Sequence, residues 1–334
     1  MTKKILVIST GGTIVSQIGE GGLAPTGGAG GIVDVLRGRF PEHDISLDEL
    51  MSLDSSNVGP RHWRDIARAV WRALPNHDGV IITHGTDTMA YTASALAFML
   101  RGLRKGVVLT GSQIPSFDPL SDAASNLCVA ASALLCGITG VTIAFGRKVI
   151  NGARAVKVSS TDMDAFDSPN APPIASVTAS GVKVTDWAMP KLARCGVLTV
   201  LEDELCGDVF LLKLTPGTKL EMLAALPDMG YRGVVIEAFG AGGAPDAGCC
   251  MKRGLYALAG AHIPVVVRSQ CLTGGVDLSM YETGRTMREM GAISARDMTS
   301  EAAVTKLMWA LGRTSDVSEI RKIFETNLAG EISI

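Results

Sequence analysis

Short runs of apolar, often β-branched residues recur along the chain. Turn residues follow each run, and a stretch with helical periodicity follows the turn. Ile5–Ile8, Val80–Thr83, Val107–Thr110 and Val141–Phe145 are the first four. A run that is apolar on both faces has to be covered on both sides, as a strand in a parallel sheet is. Pro60 suits the first turn of a helix running to Leu74, with Ile66, Val70, Trp71 and Leu74 on one face. Thr88–Leu100 reads as a second helix. A third is capped at Ser121-Asp122 and runs to Leu135. Such alternation predicts a doubly wound α/β sheet.

The pattern loosens between Ser168 and Asp208, where Ser168-Pro169-Asn170-Ala171-Pro172-Pro173 and Met189-Pro190 interrupt it. It then resumes with strands near Val209–Leu214, Gly233–Ala238 and Ile263–Arg268. Helices are expected near Lys219–Ala225, Met251–Leu258, Ser300–Leu311 and Asp316–Leu328. For 334 residues two domains are the ordinary expectation. The break divides the chain into an N-terminal catalytic α/β domain (1–190), a linker (191–208) and a C-terminal α/β domain (209–334). A glycine cluster over Gly19–Gly31, directly after the first strand, suits a movable lid or an irregular surface loop.

Charge narrows the partners. Lys and Arg number 31 against 33 Asp and Glu, so the basic excess expected of a nucleic-acid binder is absent. Aromatic residues make up only 5%, leaving few platforms for stacking bases. No stretch reaches the ~18 apolar residues of a membrane span. The apolar run at the N-terminus stops at Ile8, too short for an export signal. Seven cysteines include no CxxC pair and read as free thiols of a reducing compartment. The expected partner is a small molecule, the expected location the cytoplasm, with neither nucleic acid nor membrane involved.

Ligands of open parallel sheets bind beyond the carboxyl ends of the strands. There the sequence places Thr10-Gly11-Gly12-Thr13, His84-Gly85-Thr86-Asp87-Thr88 and Gly111-Ser112-Gln113, with Asp54-Ser55-Ser56-Asn57 just before Pro60. These hydroxyls, amides and carboxylates have the make-up of a polar site. Neither GxGxxG nor GxxxxGK[ST] is present, which argues against dinucleotide and P-loop chemistry. The GxSxG elbow is missing too. The histidines lack HExxH spacing, so no catalytic metal is expected. His84 can be read as a framework histidine or as a base. A threonine nucleophile needs a base to take its proton, and a desolvated lysine oriented by a carboxylate can serve. Thr86, Asp87 and Lys157 are the candidates.

At these residues the chain resembles the bacterial-type L-asparaginases, in particular their cytoplasmic type I branch, over nearly its whole length. Thr10-Gly11-Gly12-Thr13-Ile14 matches one family signature. His84-Gly85-Thr86-Asp87-Thr88, continued by Met89-Ala90-Tyr91-Thr92-Ala93, matches the other. Gly111-Ser112-Gln113-Ile114-Pro115, Asp164-Ala165-Phe166-Asp167-Ser168-Pro169-Asn170 and Asp297-Met298-Thr299 match further type I stretches. The resemblance implies a larger N-terminal flavodoxin-like domain and a smaller C-terminal α/β domain, assembled as a homodimer or homotetramer. It implies hydrolysis of L-asparagine to L-aspartate and ammonia through a threonine acyl-enzyme, without cofactor or metal. Thr13 matches the nucleophile, and Thr86, Asp87 and Lys157 match the Thr–Asp–Lys group. Ser55, flanked by Asp54 and Ser56, matches the residue that holds the substrate α-carboxylate. Asp87 would also meet the α-ammonium group, with Ser112 and Gln113 close by. Backbone N–H groups of the Gly11-Gly12 turn and Thr86 are expected to face the oxyanion.

Three departures from the family pattern stand out. Leu23 stands where the family's lid loop carries a tyrosine, and the tyrosines here are 91, 231, 256 and 281. Ser16 or Thr26 would have to supply a substitute hydroxyl. Glu237 stands where some type I enzymes carry an arginine of a regulatory pocket that Cys271 also matches. A lone carboxylate there would repel an effector carboxylate, so no asparagine activation is expected. Gly242-Gly243 replaces a Gly-Asn pair that contributes to the amino-group end of the site.

Overall fold

A computed structural model gives the fold and describes residues 1–19, 22–25, 28–185, 198–245 and 250–333. Two compact units divide the chain, Met1–Asp203 and Glu204–Ile334.

In the first unit the strands are β1 (Lys4–Gly11), β2 (Gln17–Gly19), β3 (Gly22–Ala24), β4 (Asp44–Leu53), β5 (Gly79–Thr83), β6 (Leu100–Arg101), β7 (Gly106–Thr110) and β8 (Gly140–Phe145). They continue with β9 (Lys148–Asn151), β10 (Val156–Lys157), β11 (Phe166–Asp167), β12 (Ala175–Thr178), β13 (Gly181–Val184) and β14 (Val200–Leu201). The helices are α1 (Gly30–Arg39), α2 (Pro60–Ala73), α3 (Met89–Met99) and α4 (Ala123–Leu135). An eight-stranded sheet runs β13-β12-β9-β8-β7-β5-β1-β4. Strands β4, β1, β5, β7 and β8 are mutually parallel, and β9, β12 and β13 extend the edge by antiparallel pairing. Taken in chain order, the parallel strands stand 2-1-3-4-5, the flavodoxin-like arrangement, with its switch point between β1 and β5.

Register explains the core. Val7, Ile81 and Val108 lie side by side on β1, β5 and β7 and pack with Ile32, Val33 and Leu36 of α1 and Leu127 and Ala130 of α4. Their neighbours Ile8, Ile82 and Leu109 point to the other face and are equally buried. On α2, Trp63, Ile66 and Val70 are buried. Trp71, expected on the same face, is 38% exposed, because it lies one residue past Val70 at the margin of the stripe. Asp122 does not cap α4. Its carboxylate accepts N–H groups from Gln113 and Ile114 and the Asn126 amide, and Ser121 Oγ takes the Ala123 N–H instead.

The second unit holds β15 (Val209–Lys213), β16 (Gly233–Ala238), β17 (Val265–Ser269) and β18 (Ile293–Ser294) as a parallel sheet in sequence order. Its helices are α5 (Cys250–Gly260), α6 (Glu282–Glu289), α7 (Ser300–Arg313) and α8 (Val317–Glu325). The segment expected as a helix near Lys219 is a 3₁₀ stretch, Leu220–Ala225, packed on α5. Glu237 is not a lone carboxylate, because Arg268 pairs with it from the neighbouring strand. The electrostatic premise of the expected repulsion therefore does not hold. Gly242 has φ +120° and Gly243 bridges back to Phe239.

Among the described residues no helix is long and apolar enough to cross a membrane. Cys128, Cys136, Cys206 and Cys271 are free thiols. Cys195, Cys249 and Thr26 lie outside the described residues, as do residues 191–197 of the expected linker.

Candidate active site

Glycines bring the strand-end loops into contact. Gly12, at φ +81° and ψ 179°, takes a conformation that only glycine adopts readily. A Cβ on it would lie 2.3 Å from the Gly85 nitrogen. A Cβ on Gly85 would meet Ser55 Oγ at 2.6 Å, and one on Gly111 would meet the His84 carbonyl oxygen at 2.3 Å. The loops after β1, β5 and β7 thus touch backbone to backbone, at and beside the switch point, and Ser55 of the loop after β4 lays its side chain against Gly85. Further bonds fix them: Gly12 N–H donates to Leu53 O (3.0 Å), and the hydroxyl of Thr88 donates to Ser55 O (2.6 Å).

His84 belongs to this framework. Its ring is fully buried, with Nδ1 2.7 Å from Gly85 O and Nε2 2.9 Å from Thr92 Oγ1. A carbonyl only accepts, so Nδ1 carries the hydrogen and Nε2 receives the Thr92 hydroxyl. Trp63 Nε1 donates to the same threonine oxygen at 3.0 Å. Burial pushes the imidazole down to about 4, so the ring is neutral at pH 7. Both nitrogens are engaged, and His84 does not line the pocket.

The loops enclose a polar pocket of about 230 Å³, smaller than the ~300 Å³ at which drug-sized sites begin. Thr13, Asp54, Ser55, Thr86, Asp87, Gln113 and Lys157 line it together. Lys157 Nζ donates to Thr86 Oγ1 (2.8 Å) and to Asp87 Oδ1 (2.7 Å). Lys157 arrives on β10, held by pairing of Lys157 with Phe166 of β11, whose buried ring packs on Phe145 with centroids 5.0 Å apart.

Two of the expected residues stand off the pocket wall. The Ser56 N–H and hydroxyl both donate to Asp54 Oδ1, holding that carboxyl below the usual range, and Ser112 is buried behind the wall. Ser160, Ser16, Pro25, Gly12 and Gly85 complete the lining. Ser160 lies in Ser159-Ser160-Thr161, whose only sequence signal is polarity. Ser16 donates its hydroxyl to Gly12 O (3.1 Å). Leu23 lies in a two-stranded ribbon, in register with Ile18.

Two carboxylates, Asp54 and Asp87, and one ammonium, Lys157, line the pocket, a balance that favours a ligand carrying its own positive charge. Among the described residues no group of three His, Cys, Asp or Glu side chains is placed to hold a metal ion.

Family models match both halves of the chain: "Asparaginase, N-terminal" over residues 4–189 and "Glutaminase/Asparaginase C-terminal domain" over 208–324. The L-asparaginase of Thermococcus kodakarensis is 43% identical over 331 residues, covering 99% of each chain. A solved structure of the thermostable L-asparaginase from Thermococcus kodakarensis, 43% identical with 99% of each chain covered, superposes with a TM-score of 0.91. The crystal structure of L-asparaginase I from Vibrio cholerae is 29% identical, with full coverage of both chains and a TM-score of 0.87. A glutamyl-tRNA(Gln) amidotransferase subunit of Pyrococcus furiosus is 37% identical, the match covering 98% of this chain and 76% of that protein. Matched by the family's models in both halves, and sharing its fold from end to end with solved members, this chain belongs to the asparaginase family.

Proposed function

We propose that the protein is an amidohydrolase that converts L-asparagine and water to L-aspartate and ammonia through a threonine acyl-enzyme. The observation that carries this reading is the bond from Lys157 Nζ to both Thr86 Oγ1 and Asp87 Oδ1 in the pocket that Thr13 also lines. A hydroxyl, a lysine and an orienting carboxylate form a proton relay of the kind a threonine nucleophile needs. In this reading Thr13 Oγ1 attacks the ω-amide carbon, the C–N bond breaks, and the amine leaves as ammonia with a proton passed through the Thr86–Lys157–Asp87 group. Water then cleaves the ester, giving aspartate and restoring the Thr13 hydroxyl. The Thr86 N–H serves the oxyanion, the Gly12 N–H expected beside it being already given to Leu53 O. Ser55, with Asp54 and Ser56 beside it, holds the α-carboxylate, and Asp87 meets the α-ammonium. Gln113 shapes the wall, with Ser112 behind it. The protein works in the cytoplasm as a homodimer or homotetramer, without cofactor.

The test is ammonia release from L-Asn, D-Asn, L-Gln and N-substituted asparagines, with Thr13→Ala as control. Turnover of L-Asn that falls about a thousandfold or more in the variant supports the reading. A second reading, hydrolysis of another ω-amide or an N-substituted asparagine, draws on Leu23 in place of the lid tyrosine, two residues before the pocket-lining Pro25. Thr13-dependent cleavage of one of those amides with L-Asn inert would favour it. No cleavage at all would favour a homologue that binds an amino acid without hydrolysing it.

A further inference from the structure

The carboxamide of Gln113 has one possible orientation. Its Nε2 lies 3.1 Å from the backbone carbonyl oxygen of Asp162, and a carbonyl can only accept, so the nitrogen faces Asp162 and Oε1 faces Thr86. The Thr86 hydroxyl, 3.2 Å away, therefore gives its single hydrogen to Gln113. What Thr86 Oγ1 offers Lys157 is a lone pair, into which Nζ donates at 2.8 Å. Both ends of Gln113 are held. Its N–H donates to the Asp122 carboxylate, and the loop carrying the Asp162 carbonyl is tied down by Ser159 Oγ, which accepts the N–H groups of Thr161 and Asp162. The chain Asp162–Gln113–Thr86–Lys157–Asp87 thus has a fixed direction along its length.

We propose that Gln113 is a positioning residue for the Thr–Lys–Asp relay. In the resting site it takes the Thr86 hydroxyl hydrogen, so that Thr86 keeps one rotamer with a lone pair toward the Lys157 ammonium. As the relay turns over, Lys157 gives a proton to that lone pair while Thr86 hands its own to the leaving amine. This role is additional to lining the pocket and rests on the amidohydrolase reading given above. A glutamine does this where an apolar residue of the same length cannot, since it both accepts from Thr86 and donates to Asp162.

The experiment uses the full-length protein and two variants, Gln113→Met and Gln113→Glu, each checked for an unchanged melting temperature. In Gln113→Met kcat is expected to fall about tenfold or more, the scale of a misplaced reacting group, with KM within about twofold. A high-resolution crystal structure of that variant is expected to show Thr86 in more than one rotamer. In Gln113→Glu only the protonated carboxyl can both donate to Asp162 and accept from Thr86. Its rate relative to wild type should therefore climb as pH falls toward the ordinary carboxylate range. The proposal is overturned by a raised KM with kcat unchanged, by a relative rate that is flat with pH, or by a single Thr86 rotamer in Gln113→Met. If the wild-type protein cleaves no amide, the hydrolase reading fails, and the Thr86 rotamer still decides whether Gln113 positions it. Should Gln113→Met not fold, the Gln113→Glu profile and its crystal structure decide.

Discussion

Glu237 and Arg268 are register partners on the neighbouring parallel strands β16 and β17, and the Arg268 guanidinium lies 3.4 Å from Glu237 Oε1 with both side chains at most one-tenth exposed. Ser300 joins them, accepting from Arg268 at 3.0 Å and donating to Glu237. Removing one partner of a buried pair leaves the other desolvated and alone. Arg268→Met is expected to lower stability by about 3–5 kcal/mol, and a second change, Glu237→Leu, to recover much of it. Denaturant unfolding of both variants checks this. Equal loss in the single and double variants would mean that packing, and not the pair, dominates.

Gly12→Ala addresses the contact on which the site is built. The added methyl carbon would lie 2.3 Å from Gly85 N and 2.5 Å from Gly85 Cα, at a φ of +81° that an alanine resists. Neither loop has a flexible side chain to move aside. Activity should fall about a hundredfold or more through misplacement alone. Circular dichroism and kcat measured together separate this from unfolding.

Acid should weaken the fold through His84. Its folded value of about 4 lies below the ordinary 6.5, so between those limits the unfolded chain binds a proton that the native one does not. Stability from this group is complete above pH 6.5, falls as pH drops toward 4, and is level below that. The loss amounts to about 3 kcal/mol across the window. Urea unfolding at intervals from pH 7 to pH 4 should show this slope, and His84→Gln should flatten it.

The chain end is tied down by a second buried pair. Lys306 of α7 and Glu331 are both fully buried and hydrogen-bonded. Lys306 Nζ also donates to Thr326 O at 2.8 Å, and Glu331 accepts the N–H groups of Leu328 and Ala329. Glu331→Gln should cost about 3–5 kcal/mol by removing the buried carboxylate that pairs with the lysine ammonium. Amide hydrogen exchange should show Leu328 and Ala329 losing protection first.

Much of the fold could be read from strands buried on both faces, because a run such as Val80–Thr83 is apolar up to its last residue and leaves no solvent-facing polar face to suggest another element. Edge strands were illegible for the converse reason. Asp44–Leu53 carries three acidic residues in ten and is only partly buried, so its sequence resembles a surface segment. The hairpin of β12 and β13 hid in a stretch broken by prolines. Pocket-lining residues that follow strand ends, such as Thr13 and Thr86, could be found by position. Lys157, 70 residues from Asp87, was singled out by a partner's chemical need and by family resemblance. Nothing in the spacing of Asp122 hinted that it holds the Gln113 loop and leaves its own helix uncapped, and Arg268 was missed as the partner of Glu237 because cross-strand register is invisible in one dimension.

The touching glycines bear on how far the protein can change. Thr13 and Thr86 each follow a glycine of the Gly12–Gly85 contact, so the spacing of the two hydroxyl-bearing residues is inherited from adjacent main chains at the switch point of the sheet. Side chains elsewhere do not set it. On the proposed hydrolase reading, a lid in which Leu23 stands in place of a tyrosine alters which molecules enter, and how quickly they react, without disturbing the spacing of those two residues. Substrate range and reaction geometry are separately adjustable in such a scaffold, and divergence among its relatives has room to run along the first while the second stays fixed.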